Sequence, residues 1–275
     1  MLSKRFVNSR GSSLAAAVIA VATVAGLAGA VSASVIYQDN FSGSSGANTL
    51  NGATLSVDNG TSTTWTAGST AGYTGFADNG NTSEAANSGI IAYLNFTPAD
   101  GNVYTLSAGM QDNSGGSWLA LGFMTNPMTN NRFDQPDSSG GPGATPWALV
   151  HSPPSSGTYI GSLFTGPAAT VYGQNFSPPS GSSATGSQNI SIVLNTGNSN
   201  WTYQVFDNGT SVSPVEGFQN PNPAIVAVGL NNMGAASGQF SNFNLSVSPV
   251  PEPATLGLVG VGALGLLLLK RQRTV

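Results

Sequence analysis

The stretch Trp201-Thr202-Tyr203-Gln204-Val205-Phe206-Asp207-Asn208-Gly209-Thr210 decides the fold class of this chain. Its first part alternates between the two faces of a chain with a period of two, which is typical of a half-buried β-strand. The following Asn-Gly pair suits a type I′ turn, because both central positions of that turn need a positive φ angle. The stretch therefore predicts a β-hairpin.

The same pattern extends over residues 34–248, which we call the body. An opening strand places Val35, Tyr37, Asp39 and Phe41 on one face, and Asn59-Gly60 predicts a second type I′ turn. Helical periodicity is not sustained over three turns anywhere in the body. So many short strands predict an all-β fold, a two-sheet antiparallel jelly-roll sandwich. The remaining strands are predicted at residues 90–96, 103–108, 118–124, 147–150, 159–164, 190–194, 201–206, 224–230 and 240–247.

Composition supports a folded domain and excludes several partners. The chain of 275 residues has 36 Gly and no Cys, yet four Trp, twelve Phe and only 7% charged residues oppose disorder. Between residues 34 and 250 ten acidic residues face a single basic one, Arg132, so the formal net charge is near −9. Such a body cannot bind a nucleic-acid backbone, and it disfavours strongly anionic polysaccharides unless a cation bridges the two.

Residues 1–33 have the three parts of a secretory signal peptide. A basic start at residues 4–10 precedes an apolar run at residues 14–30, and Val31-Ser32-Ala33 offers the small side chains that signal peptidase needs. We expect cleavage after Ala33. An uncleaved N-terminal membrane anchor is the alternative, which the Ala-rich run and the cleavage site disfavour.

The C-terminal residues 249–275 also have three parts. Pro251, Glu252 and Pro253 precede an apolar run at residues 254–269, and the basic residues Lys270, Arg271 and Arg273 follow it. This order resembles the PEP-CTERM sorting domain, which implies processing by exosortase in Gram-negative bacteria that make exopolysaccharide. As a helix the run would span about 24 Å, slightly less than a bilayer core of about 30 Å. We expect a transient transmembrane helix, and a permanent anchor is the alternative.

The body resembles the concanavalin A-like lectin/glucanase superfamily, which includes laminin G-like domains. The resemblance depends on Tyr37-Gln38-Asp39-Asn40-Phe41, on Trp118-Leu119-Ala120-Leu121-Gly122-Phe123, on the hairpin quoted first, and on the closing stretch Gly238-Gln239-Phe240-Ser241-Asn242-Phe243-Asn244-Leu245. These are framework segments, so the resemblance implies a fold and leaves the activity open.

The sequence predicts no catalytic residue, and we expect the protein not to be an enzyme. A glycosidase needs two carboxylates beside the scissile bond, but Glu84 and Glu216 are each isolated in the body. His151 is the sole histidine and lacks a Gly-x-Ser-x-Gly partner motif, so we expect it at a strand end. Calcium is the only cofactor considered, with Asp39 as its candidate ligand, and an ordinary turn aspartate is the alternative.

Candidate carbohydrate-binding residues are the aromatic ones outside the clearest apolar runs. Trp65 and Trp147 are the first choices, and Tyr73 and Tyr159 are the second, since an exposed ring beside amide and carboxylate oxygens suits a neutral sugar. Trp118 and Trp201 lie inside alternating apolar runs and are expected in the core.

These observations predict an exported protein of the cell surface or extracellular matrix. We expect it to associate with exopolysaccharide by binding neutral carbohydrate without catalysis. Two alternatives remain open at this stage: an atypical carbohydrate-active enzyme on the same fold, and a purely structural matrix component.

The first testable prediction concerns processing. Protein recovered from its native host should begin at Ser34 and end near residues 251–253, because signal peptidase and exosortase remove the two terminal segments. Measurement of the intact mass checks both ends at once. A mass that retains residues 254–275 would contradict removal of the tail.

Overall fold

A computed structural model describes residues 32–42, 50–67, 82–83, 90–112, 117–125, 127, 147–151, 160–164, 188–217, 222–234 and 238–250. Ala33–Val250 forms one compact unit. Most of the predicted signal peptide, most of the sorting tail, Tyr73 and Tyr159 lie outside the described residues. Within these ranges no helix is long and apolar enough to cross a membrane.

The described part of the chain is all-β, as predicted. Every strand predicted from the sequence overlaps an observed one. The strands are β1 (Ser34–Asp39), β2 (Val57–Asp58), β3 (Thr66–Ala67), β4 (Thr82–Ser83), β5 (Ile90–Asn95), β6 (Asn102–Asp112), β7 (Ser117–Met124), β8 (Trp147–His151), β9 (Ile160–Phe164), β10 (Gln188–Asn195), β11 (Thr202–Asp207), β12 (Thr210–Ser211), β13 (Glu216–Gly217), β14 (Ala227–Gly234) and β15 (Gly238–Pro249).

The strands form two antiparallel sheets. The larger sheet has the order β12-β11-β10-β6-β15-β1-β2, with β13 beside β11 and β4 beside β15. The smaller sheet has the order β3-β5-β14-β7-β8-β9. Neighbours such as β6 and β15 are far apart in sequence, so most pairing is non-local, as in other sandwiches with crossover connections.

The core fills the space between the sheets. In the larger sheet β10 contributes Ile190, Ile192 and Leu194, and β11 contributes Tyr203 and Val205, all fully or almost fully buried. Their polar or partly exposed neighbours alternate with them along each strand, which is the period-two pattern that predicted the hairpin. Trp201 also belongs to the core, as predicted.

The two predicted Asn-Gly turns have different outcomes. Asn208 and Gly209 have φ angles of 48° and 78°, which confirms the type I′ turn between β11 and β12. The prediction at Asn59-Gly60 is wrong, because neither residue has a positive φ angle. The segment packs against β1 instead: the N–H of Asn59 donates to the carbonyl of Ile36 at 2.8 Å, and a Cβ at Gly60 would collide with the ring of Tyr37.

Two bulges change the face on which residues lie. The pairing of β1 with β15 skips Ile36, so Ile36 packs against the core while Val35 does not, contrary to the predicted face. In β15 the register with β6 shifts between Ser241 and Asn244, and Asn242 has a φ angle of 50°. This bulge allows Phe240 and Phe243, three positions apart, both to enter the core.

The inner face of β1 joins the two sheets by hydrogen bonds. The buried Tyr37 hydroxyl donates to the carbonyl of Asn95 at the end of β5, at 2.6 Å. It also accepts the backbone N–H groups of Thr61 and Ser62 at 2.8 and 3.0 Å. Strand β1 belongs to the larger sheet and β5 to the smaller one, so this one phenol links both layers.

Asp39 makes a second link two residues along the same face. Its carboxylate is 2% exposed; Oδ2 accepts the indole N–H of Trp65 at 2.6 Å, and Oδ1 accepts the N–H of Phe41 at 2.9 Å. The Trp65 ring packs edge-on against Phe243 with centroids 4.9 Å apart. Trp65 directly precedes β3 of the smaller sheet, so a charged hydrogen bond ties the two layers at this end.

We expect Trp65→Phe to destabilise the fold more than Trp201→Phe. Both indoles donate to an aspartate, but Asp39 is buried, whereas Asp100, which accepts from Trp201 at 3.1 Å, is exposed. Removing a donor from a buried carboxylate lowers the free energy of unfolding by about 1–3 kcal/mol. An exposed carboxylate that loses its donor can bind water instead. Urea unfolding of the two variants checks this, and equal losses would contradict it.

Asp207 is a buried acid at the end of β11, next to the hairpin turn. Asp207 is fully buried, and burial raises the pKa of its carboxyl above the ordinary value of 3.8. With the amide of Gln188 oriented so that its nitrogen faces Asp207, the nitrogen lies 2.9 and 3.1 Å from the two carboxylate oxygens. This amide can offset part of the cost of a buried charge, while the desolvation of the carboxylate raises its pKa.

Asp207 should therefore make stability depend on pH. Because its folded pKa is raised, its stabilising contribution is complete below the unfolded pKa and is lost as pH rises through the folded pKa. Asp207→Asn should remove this loss. The free energy of unfolding of the variant should therefore rise relative to that of the wild type as pH rises from about 4 to about 7. Urea unfolding across that range measures the difference. The exposed Asp58→Asn variant controls for net charge, and parallel curves for wild type and Asp207→Asn would refute the prediction.

Candidate functional site

The smaller sheet has one face in the core and one face directed away from it. Along β7, Leu119, Leu121 and Phe123 belong to the core cluster, whereas the alternate residues Ala120 and Met124 do not, although they are buried. Side chains of a strand alternate between faces, so the second set defines what we call the outer face.

The ladder assigns positions in β14 and β5 to the same outer face. Gly229 pairs with Gly122 of β7 on one side and with Tyr93 of β5 on the other. Directly paired residues of antiparallel strands share a face, so Tyr93 lies on the outer face. Its side chain is partly exposed. Ile91 and Asn231 form the next pair along this face and are buried.

The register brings Trp147, one of the predicted sugar-binding residues, onto this face. Trp147 pairs with Gly122 in β7 and with Phe164 in β9. One row across the sheet therefore runs Tyr93, Gly229, Gly122, Trp147, Phe164. Tyr93 and Trp147 are three strands apart, which is about 14 Å at the usual spacing of about 4.8 Å.

A second row on the outer face contains the sole histidine. Trp118 pairs with Met233 in β14 and with His151 in β8. Trp118 precedes Leu119 in β7, so the alternation of the strand gives it an outer-face position. The expectation that it is a core residue stays a prediction. His151 is the last residue of β8, and this confirms its predicted place at a strand end.

Small residues lie between the aromatic positions. A Cβ at Gly229 would collide with the carbonyl of Ala92 and with the terminal methyl of Met124, so a larger residue does not fit. Met124 thus covers Gly229, and its flexible side chain is a cover that can adjust. Gly122, the next position in the row, also has no side chain beside Trp147.

The chemistry of the outer face is uncharged. Its positions in the described parts of β5, β7, β8, β9 and β14 carry no Asp, Glu, Lys or Arg. Asn95 and Asn231 supply amides, and Tyr93 supplies a phenol. Such a surface offers rings for stacking and neutral hydrogen-bond partners. Its described positions hold neither the carboxylate pair of a glycosidase nor a Lys or Arg for a uronate.

The prediction that Trp65 is an exposed sugar platform is wrong. Its ring is 1% exposed, and its indole N–H is committed to Asp39. The Thr-rich sequence around Trp65 is typical of a surface strand, but the segment leads into β3 and turns its ring between the sheets. The sequence shows no partner for the indole, because Asp39 lies 26 residues away.

Asp39, the predicted calcium ligand, has a structural role. Both of its carboxylate oxygens accept hydrogen bonds, from Trp65 and from Phe41. In the described ranges no group of three or more Asp, Glu, His or Cys side chains could hold a metal ion. Calcium binding stays a prediction.

Tyr93 is a site residue that the sequence analysis missed. The stretch at residues 90–96 is apolar on both faces, so its tyrosine looks like one more core residue. The alternation along the strand could have identified it. Ala92, Leu94 and Phe96 make one face entirely apolar, whereas the other face becomes polar from Ile91 through Tyr93 to Asn95. An outer set that becomes polar indicates a face that meets solvent or ligand.

Comparison with known proteins identifies the sorting signal. Residues 249–272 match the PEP-CTERM protein-sorting motif. The motif marks an exported protein that exosortase processes, as the sequence analysis expected. A search of curated protein sequences finds no match.

Solved structures support the sandwich. The endo-1,3-β-glucanase from Streptomyces sioyaensis superposes with a TM-score of 0.50 at 12% identity, over 79% of this chain and 97% of the glucanase. The legume lectin-like domain from Entamoeba histolytica gives 0.39 at 9% identity, over 68% and 90% of the two chains. The CBM2 module of the evolved Dit of Lactobacillus casei BL23 phage J-1 superposes with a TM-score of 0.45 at 7% identity, over 80% of this chain and 98% of the module. At this identity the likeness to the glucanase shows the fold alone, a β-sandwich.

Proposed function

We propose that this protein is exported, held transiently in the membrane by its tail, and then displayed or shed at the cell surface, where it binds neutral exopolysaccharide without catalysis. The sorting motif at residues 249–272 supports the route. The binding proposal depends on the outer face of the smaller sheet.

The observation that carries the binding proposal is the row on the outer face. Tyr93 and Trp147 occupy its two sides, with Gly229 and Gly122 between them. Two aromatic residues about 14 Å apart suit a short oligosaccharide, since aromatic side chains can offer apolar faces to sugars. Gly229 and Gly122 add no side chain of their own between these two positions, and the flexible side chain of Met124 lies over Gly229.

Charge supports a neutral ligand. The body has one Arg and no Lys, and the described outer-face positions carry no charged side chain at all. Burying a sulfate or a uronate there without a cationic partner would cost several kcal/mol. Neutral glycans incur no such cost.

Non-catalytic binding is favoured over hydrolysis for the same reason. Glycoside hydrolysis needs an acid and a base or nucleophile that flank one bond. No described position of the outer face is an aspartate or a glutamate. The similar glucanase fold does not transfer its reaction, because activity depends on the side chains of a site.

The test is isothermal titration of the purified protein with neutral and acidic oligosaccharides at two salt concentrations. We expect weak binding of the neutral set, nearly independent of salt, because no ion pairs are screened. Trp147→Ala and Tyr93→Ala should each weaken it about ten-fold, which is about 1.4 kcal/mol.

Two variants control this experiment. Tyr93→Phe keeps the ring and should bind nearly as the wild type does. Phe206→Ala removes a partly exposed ring from the larger sheet and should leave affinity unchanged. Preference for acidic sugars would overturn the ligand class, release of reducing sugar would show an enzyme, and failure to bind either set would favour a structural matrix component.

A further inference from the structure

The two ends of the sandwich leave it side by side. Ser34, the first residue of β1, pairs with Val247 in the adjacent strand β15. Strand β15 then ends at Pro249, which pairs with Asn102 at the start of β6. The predicted signal peptide and the sorting tail therefore join the body at one end, through neighbouring strands. We call it the exit end, formed by Ser34, Val250 and the loops at residues 96–101 and 196–201.

Val250, the last described residue, is held in place at the exit end. Its N–H donates to the carbonyl of Gly101 at 3.1 Å, and a Cβ at Gly197 would collide with its side chain. The loops that hold it are themselves cross-linked: the Thr196 hydroxyl donates to the carbonyl of Ala99 at 2.7 Å. The ordered sandwich thus continues to Val250, the second residue of the motif matched at residues 249–272.

Short tethers follow from this arrangement. Four residue steps separate Val250 from residue 254, where the apolar run of the tail begins. A fully extended chain covers at most about 14 Å in four steps. The hairpin turn at Asn208 and Gly209 lies at the opposite end of the sandwich, six residues of strand β11 or about 20 Å farther along.

We propose that the exit end of the sandwich faces the lipid surface while the tail is in place, and that the hairpin turn at Asn208 and Gly209 points away from it. The inference rests on the membrane-held stage of the proposed function. It adds an orientation: the strands stand upright, so the outer face of the smaller sheet is directed along the bilayer rather than toward it before the tail is removed.

The chemistry of the exit end is compatible with a lipid surface. The loops at residues 96–101 and 196–201 contain one charged side chain, Asp100, which accepts the indole N–H of Trp201. An anionic membrane repels acidic groups, and a body with ten of them would be pushed away wherever they are dense. Among the described residues, the next carboxylate is that of Glu216, which pairs with Tyr203 beyond the loop at residues 196–201. The exit end thus carries few of the described acidic groups, which favours its approach to a lipid surface.

The absence of cysteine allows a direct test. Ser199→Cys places a thiol at the exit end and Thr210→Cys places one beside the far turn, both at exposed positions. The full chain is expressed in a Gram-negative host without exosortase, and spheroplasts are treated with a bulky polyethylene glycol maleimide. The reaction with small N-ethylmaleimide normalises intrinsic reactivity. We expect Ser199→Cys to react several-fold more slowly with the bulky reagent than Thr210→Cys.

A variant with a long linker before the tail distinguishes protection of Ser199→Cys by the nearby membrane from protection by neighbouring parts of the protein. Twenty Gly-Ser residues inserted between Val250 and Pro251 reach about 25 Å, and they should raise the Ser199→Cys rate to that of Thr210→Cys. Equal rates without the linker, in protein that fractionates with membranes, would overturn the orientation alone. Recovery of tail-bearing protein in the soluble fraction would overturn the membrane-held stage of the proposed function, and the orientation with it.

Discussion

The hydrogen bonds from the inner face of β1 hold the two sheets of this sandwich together. Tyr37 donates to Asn95 in the opposite sheet and accepts from the loop that follows Asn59, and Asp39 accepts from Trp65 two residues along. Apolar contacts between sheets are non-directional, so they allow the layers to slide. Buried polar contacts with fixed partners allow one alignment, because any shift leaves a desolvated donor or acceptor.

This alignment decides what each face of the smaller sheet can do. With one face committed to the core, the alternate residues of the same strands must lie on the other face. That face receives Tyr93 and Trp147 on either side of two glycines, through pairings between strands that are distant in sequence. The same sandwich gathers both ends of the body at one edge, since β1 and β15 are antiparallel neighbours. The outer face of the smaller sheet and the exit end are therefore different surfaces of the body, so the proposed binding need not compete with the proposed membrane attachment.

Strand positions were predictable because each strand carries its own signal. The hairpin of β11 and β12 has alternating burial and an Asn-Gly turn, and both are local properties. The prediction of a type I′ turn at Asn59-Gly60 was wrong because tertiary contacts outweighed the local preference. The ring of Tyr37 lies against Gly60, and the N–H of Asn59 donates to a carbonyl of β1. The bulge at Asn242 was equally hidden, since the positions of Phe240 and Phe243 do not fit a period of two.

The sequence by itself determined the class of fold, the neutral and weakly acidic chemistry of the body, and the sorting motif at residues 249–272. Periodicity, composition and a linear signal are all properties of neighbouring residues. Only the tertiary structure decided on which face of a sheet each aromatic residue lies. Trp65 and Trp147 were equivalent candidates in the sequence, yet Trp65 is buried against Asp39, and Trp147 occupies the outer face opposite Gly122. Burial depends on the partners that non-local strand pairing brings together, and sequence distance conceals them.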